Sequence, residues 1–321
     1  MVQPLVYVLS RIKVLERNTM PAPPLRPPMR PKAAGSPVKP VVNAGQNPFA
    51  DLTADIGKHG RFLMIYSEAG EGKTTLAANF PDPLFIVTSG EQGIQLYRQQ
   101  GLIPKTVPVI PLDPLFEQNL IPSGGHPGWL KLIDAMERFS DQSHDRKTLV
   151  IDSTSGLQDL CFQHCASMLF DAQMNSKDFV DFYRGYTKAA EAFWAGKFLP
   201  LCLEIVAKGF NVVLIAHSTV KPVANPVGPD FDQYRPALYG KVFEYTKKDL
   251  HGLFFLGREI RVAIDAKTKK KSATGDRRFI GLSPSTYYVA KTWCTPQGLT
   301  EIECGETAKE TYAALAPALG M

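Results

Sequence analysis

Short apolar runs separated by longer mixed segments set the rhythm of this chain. Phe62–Tyr66, Leu84–Thr88, Thr148–Ile151 and Asn211–Ala216 are each nearly unbroken in apolar or β-branched residues, too short for helices, and read as buried strands. Leu253–Leu256 and Ile260–Ile264 read as two further short strands, and Arg278–Leu282, after Gly275-Asp276, as the second arm of a hairpin. Helical spacing appears between the runs. Leu132, Ile133, Met136 and Phe139 recur one turn apart, and Leu157–Leu169 and Ala189–Lys208 read as long helices. Residues 101–125 and Lys221–Tyr239 are proline-rich and read as irregular, the second as a loop.

Directly after the first strand the chain turns polar and glycine-rich. Ser67, Glu68, Ala69, Gly70, Glu71, Gly72, Lys73, Thr74 and Thr75 lie between a strand and the start of a helical segment, the order of a phosphate-binding loop. A triphosphate needs many donors at close range. Gly70 and Gly72 let the backbone turn its N–H groups inward. Lys73 is placed for the β- and γ-phosphates and Thr74 for Mg²⁺. Ser67 stands where such loops normally carry glycine.

Polar residues at the tips of the other strands extend the candidate site. Glu91, just past the second strand, is placed to orient or deprotonate an attacking water. Asp152 closes the third strand and is placed to hold Mg²⁺. His217 closes the fourth, where it would face a γ-phosphate and act as its sensor. The expected cofactors are therefore ATP and Mg²⁺.

Charge is uneven. Residues 1–50 hold seven Lys or Arg against Glu16, so the remainder is at −1 although the whole chain is at +5. This basic leader contains PAPPLRPPMRPKAAGSPVKP and reads as disordered or polyproline-like. Folded ATPase sequence is expected over 51–300, and an Ala-rich C-terminal tail over 301–321. The cluster Lys267, Lys269, Lys270, Lys271, Arg277 and Arg278 faces only Asp276 and is a candidate contact for nucleic-acid phosphates. No apolar run reaches the roughly 18 residues of a membrane span. Five cysteines without a Cys-x-x-Cys fit reduced thiols in a cytoplasmic protein. Cys161, His164 and Cys165 read as buried helix positions.

IYSEAGEGKTTLAANFP, FIVTSGEQG, TLVIDSTSGL and NVVLIAHS together resemble the phage-type P-loop proteins built on a RecA-like core, a group with single-strand annealing and recombination members. The resemblance spans roughly residues 58–293. It implies an α/β fold with a mainly parallel central sheet flanked by helices and a β-hairpin-rich C-terminal part. It also implies Glu91 as base, action on single-stranded DNA, and a ring or filament of identical subunits with ATP between them. Tyr287-x-x-Ala290-Lys291 is similar to that group's ending, which implies that Lys291 approaches a neighbouring subunit's ATP; Trp293 stands where the group often has Arg. Two other readings fit the loop itself: a phosphotransferase acting on a small molecule, and an assembly protein with little turnover.

Overall fold

The structure is a computed structural model. It describes residues 59–88, 91, 93–112, 124–226, 228–264 and 271–321, with backbone only at 260–264 and 271–276. The proline-rich leader and Lys267, Lys269 and Lys270 lie outside the described residues, and of Lys271 only the backbone is described.

The first strand, β1 (Phe62–Ser67), shows why its sequence is apolar without alternation: every residue in it is buried. Phe62, Met64 and Tyr66 face one core and Leu63 and Ile65 the other, because successive side chains point to opposite faces. A strand covered on both faces belongs in a parallel sheet. The phosphate-loop helix α1 (Lys73–Ala77) leads to β2 (Pro83–Val87), α2 (Gly93–Gln99) and the short edge strand β3 (Val109–Pro111). Next come α3 (Pro127–Asp141), β4 (Thr148–Asp152) and α4 (Thr154–Leu169). The short helices α5 (Lys177–Val180) and α6 (Arg184–Lys188) precede α7 (Leu199–Ala207), β5 (Asn211–Val223), β6 (Phe231–Pro236) and α8 (Gly240–Asp249). The chain closes with β7 (Gly252–Ile264), β8 (Lys271–Gly281), β9 (Lys291–Thr292), β10 (Glu301–Glu303) and α9 (Ala308–Ala318). The sheet runs β10-β8-β7-β1-β5-β4-β2-β3. It is parallel from β7 to β3 and antiparallel at β8 and β10. This is the α/β fold implied by the RecA-like resemblance, with helices on both faces of the sheet.

Several local expectations change. Lys221–Tyr239 is no simple loop: β5 continues to Val223 and pairs antiparallel with β6, forming a hairpin off the main sheet. Pro222 and Pro236 are tolerated because a two-stranded ribbon leaves edges where no ladder N–H is needed. Leu253–Leu256 and Ile260–Ile264 are one strand, β7. Gly275 and Asp276 lie inside β8 rather than at its turn, where the register shifts between Glu259 and Arg261, a bulge. The helix expected over 189–208 is a wider, π-type stretch from Ala189 to Phe198 that tightens into α7. Pro200 lies just past the π-type stretch, inside the continuous run of helical backbone. Ahead of α6, Phe182 and Tyr183 take left-handed backbone (φ 53° and 56°), and Phe182 is 95% exposed.

Asp55–Met321 form one compact unit, and residues 301–321 are part of it. Strand β10 pairs with β8, and Leu315 and Leu319 share a core with Leu76, Ala77 and Phe80 of the α1 region. Arg61 Nε also donates to the carbonyl of Leu319 at 2.9 Å. Leu315→Ala should therefore lower stability by about 2–5 kcal/mol, read as a lower melting temperature. An unchanged melting point would mean that α9 does not pack here.

On α4, Cys161 and Cys165 direct their thiols to the carbonyls of Ala189 and Gly185. Between them His164 is buried and its Nδ1 accepts from the backbone N–H of His126 at 3.0 Å. Burial pushes the His164 pKa from 6.5 down to about 4. The unfolded chain then binds more protons than the folded one between these values, so stability should fall as pH drops through that window. The comparison is with His164→Gln, whose melting temperature should lose less between pH 7 and 4. Parallel curves for the two proteins would exclude His164 as the source.

Candidate nucleotide site

Parallel register brings the strand ends together. Ser67 pairs with His217, Asp152 with Ile215, and Val87 with Asp152. The carboxyl edge of the sheet thus collects Ser67, Thr88, Asp152 and His217 within neighbouring strands, the crevice where open α/β sheets bind ligands.

The loop after β1 uses left-handed backbone at Gly70 (φ 84°) and Gly72 (φ 89°), a conformation that a side chain would strain. Ser67 does not share it. It belongs to the extended strand, so a Cβ fits there without strain and the missing glycine does not disturb the loop. The Ser67 hydroxyl donates to the Glu68 carbonyl at 2.9 Å. Lys73 Nζ donates to the carbonyl of Ser67 (3.1 Å), its hydroxyl (3.0 Å) and the carbonyl of Glu68 (2.8 Å). The lysine is therefore folded along its own loop. Burial lowers its pKa, opposed by the charges of Asp152, Glu91 and Glu71 among others.

Thr74 Oγ1 donates to Asp152 Oδ2 at 2.7 Å, which joins the phosphate loop to the tip of β4. Asp152 is almost wholly buried, and burial pushes its pKa up to about 6 against the Thr74 bond. A buried carboxylate held by a hydroxyl and by more distant charge is under-compensated. Oxygen ligands in this setting suit a hard divalent cation such as Mg²⁺. Asp152 is held in place from behind. Its carbonyl accepts from Thr88 N–H at 2.8 Å, and Thr88 Oγ1 accepts from Ser153 N–H at 3.1 Å.

Glu91 and His217 meet across the crevice, Oε1 to Nε2 at 2.6 Å. That bond lowers the Glu91 pKa, opposed by burial. His217 N–H donates to Ser155 Oγ at 3.3 Å, so the strand end is also tied to the start of α4. Lys73, Thr74, Asp152, Glu91 and His217 thus converge. Lys291 and Arg277 lie elsewhere, whereas Arg278 reaches the phosphate loop. Lys291 lies opposite Leu253 near the start of β7, at the sheet edge away from the loop. Its Nζ donates to the carbonyls of Lys247 (2.7 Å) and Lys248 (2.9 Å) and sits 3.5 Å from the Trp293 ring centroid. Arg277 pairs with Glu259 and Glu301. Arg278 donates to the carbonyl of Glu71 at 2.6 Å, inside the phosphate loop. Arg258, which nothing in the sequence singles out, donates to both carboxylate oxygens of Glu71 at 3.1 Å. Only the adjacency of β1 and β7 reveals that contact.

A parallel sheet with a Gly-Lys-Thr loop after β1 and an acid at the tip of β4 defines a P-loop nucleoside triphosphatase domain. Residues 59–294 match the AAA domain family, and the chain belongs to that family. No curated protein sequence matches it. Among solved structures, it is similar to the flagellar accessory protein FlaH from Methanocaldococcus jannaschii, with 14% identity and a TM-score of 0.42 over 83% of this chain and 95% of that one. Among the described residues, no helix is long and apolar enough to cross a membrane.

Asp152→Asn tests the cation assignment. It keeps the shape that accepts from Thr74 and removes a charge that burial disfavours, so unliganded stability should hold or rise. The difference in nucleotide affinity with and without Mg²⁺, measured by calorimetric titration, should shrink by tenfold or more on the order of one lost charged ligand. A full Mg²⁺ effect in Asp152→Asn would place the cation elsewhere.

Proposed function

We propose that this protein binds and hydrolyses ATP with Mg²⁺, and that it does so as an oligomer acting on single-stranded DNA. The observation that carries the first half is the convergence of Thr74–Asp152 and Glu91–His217 beside the Lys73 loop. Thr74 and Asp152 would hold the cation, which offsets phosphate charge when bound. Lys73 would exchange its contacts with the Ser67 and Glu68 oxygens for β- and γ-phosphate oxygens. Glu91 is ionised through its bond to His217 and can orient a water and take its proton. His217 would report whether a γ-phosphate is present, since it stands at the tip of β5 level with Ser67 and bonded to Glu91. The reading as ATPase rather than phosphotransferase rests on Glu91: a carboxylate just past the end of β2, held against His217, can serve a water.

The DNA half is supported by the sequence resemblance and by the Lys267–Lys271 cluster, since Arg277 and Arg278 are engaged within the fold. Lys291 reaching a neighbouring subunit's ATP belongs to the same reading and requires a partner that brings its sheet edge to the loop.

ATP turnover with and without single-stranded DNA is the test. Lys73→Ala should abolish hydrolysis, and Glu91→Gln should bind ATP while turnover falls by about 10²-fold or more. DNA should stimulate the native rate, and Lys269, Lys270 and Lys271 changed together to Ala should lower the salt slope of DNA affinity by about 2. Native turnover in Glu91→Gln would remove the base. Turnover that needs a small acceptor would make the protein a phosphotransferase, and a rate indifferent to DNA would sink the second half alone.

A further inference from the structure

The phosphate loop carries an apparent contradiction. Glu71 is an anion in a segment that must receive a triphosphate. The structure answers it with two arginines from the adjacent hairpin of β7 and β8. Arg258 Nε donates to both Glu71 carboxylate oxygens at 3.1 Å, which offsets the charge. Arg278 adds a contact to the main chain: its terminal nitrogen donates to the Glu71 carbonyl at 2.6 Å, while its Nε lies 3.9 Å from Glu71 Oε2.

That bond has a directional consequence. In a planar trans peptide the carbonyl and the following N–H point opposite ways. Holding the Glu71 carbonyl toward Arg278 turns the Gly72 N–H away from the Arg278 guanidinium. Gly72 is left-handed, at φ 89°, and a Cβ there would lie 3.2 Å from the Arg278 guanidinium, so glycine and arginine fit against each other. Successive inward N–H groups of this kind form an anion-binding nest. Donors fixed before the ligand arrives need no reorganisation on binding.

We propose that Arg278 is a positioning residue that orients the Gly72 N–H for the phosphates, and that Arg258 offsets the Glu71 charge in the same loop. The proposal rests on the nucleotide reading above. It gives the β7–β8 hairpin a part in nucleotide binding that is separate from any contact with DNA.

The test uses the full chain and MgATP. Arg278→Met keeps the apolar stem and removes the donors. Its unliganded melting temperature should stay near that of the native protein, while MgATP affinity by calorimetry falls about tenfold or more, the scale of one charge-assisted hydrogen bond. Arg278→Lys, which keeps one donor, should recover part of the loss. Arg258→Met should also weaken binding, because Glu71 is left less compensated, and adding Glu71→Gln should restore it. An ion pair that only braced the fold would lower the melting temperature and show no such rescue. Native MgATP affinity in Arg278→Met would overturn the assignment. If that variant fails to fold, the Arg258→Met and Glu71→Gln pair decides, and absence of rescue there overturns it. Absence of MgATP binding by the unaltered chain would instead overturn the nucleotide reading, and this one with it.

Discussion

Backbone pairing of β1 with β5, and of β5 with β4, is the constraint on which everything else rests. Hydrogen bonds between parallel strands fix register, and register fixes which strand ends are level. Ser67 and His217 are directly paired, and Asp152 stands one strand further on. Slip β5 by one residue and its side chains would exchange faces. Val213 and Ile215 would then leave the core that they share with Leu63 and Ile65, so burial and site geometry are enforced by the same ladder. No separate force is needed to bring the polar residues together.

The strand tips then differ in how their charge is managed. Asp152 is deep and keeps one short bond, to Thr74; Glu91 is half-buried and has an imidazole against it. Burial raises the first carboxyl and the His217 bond lowers the second. Two acids beside the same phosphate loop are therefore shifted in opposite directions, one by burial and the other by an imidazole. The contrast follows from depth in the fold and from the neighbour each acid meets rather than from the residue type.

Much of this was legible in the sequence because it is local. A fully buried strand must be apolar on both faces, so Phe62–Tyr66 and Asn211–Ala216 stand out; a left-handed turn asks for glycine, so Gly70 and Gly72 mark the loop. Ser67 looked like a defect only because sequence hides φ, and extended backbone at that place accepts a Cβ. The hairpin of β5 and β6 was hidden by prolines that an edge ribbon tolerates. The contacts of Arg258 and Arg278 were hidden for a different reason. Their meaning depends on β7 lying beside β1, and no pattern near residue 258 or 278 reports which strand will be its neighbour.

The loop helix α1 is short, and its five residues cannot be stable by backbone bonding alone. It leans on α9, from the far end of the folded body, through Leu76, Ala77 and Leu315. The shape of the loop at Lys73 is thereby tied to packing far away along the chain, so a change in α9 would reach the phosphate loop through the apolar core rather than through any polar contact.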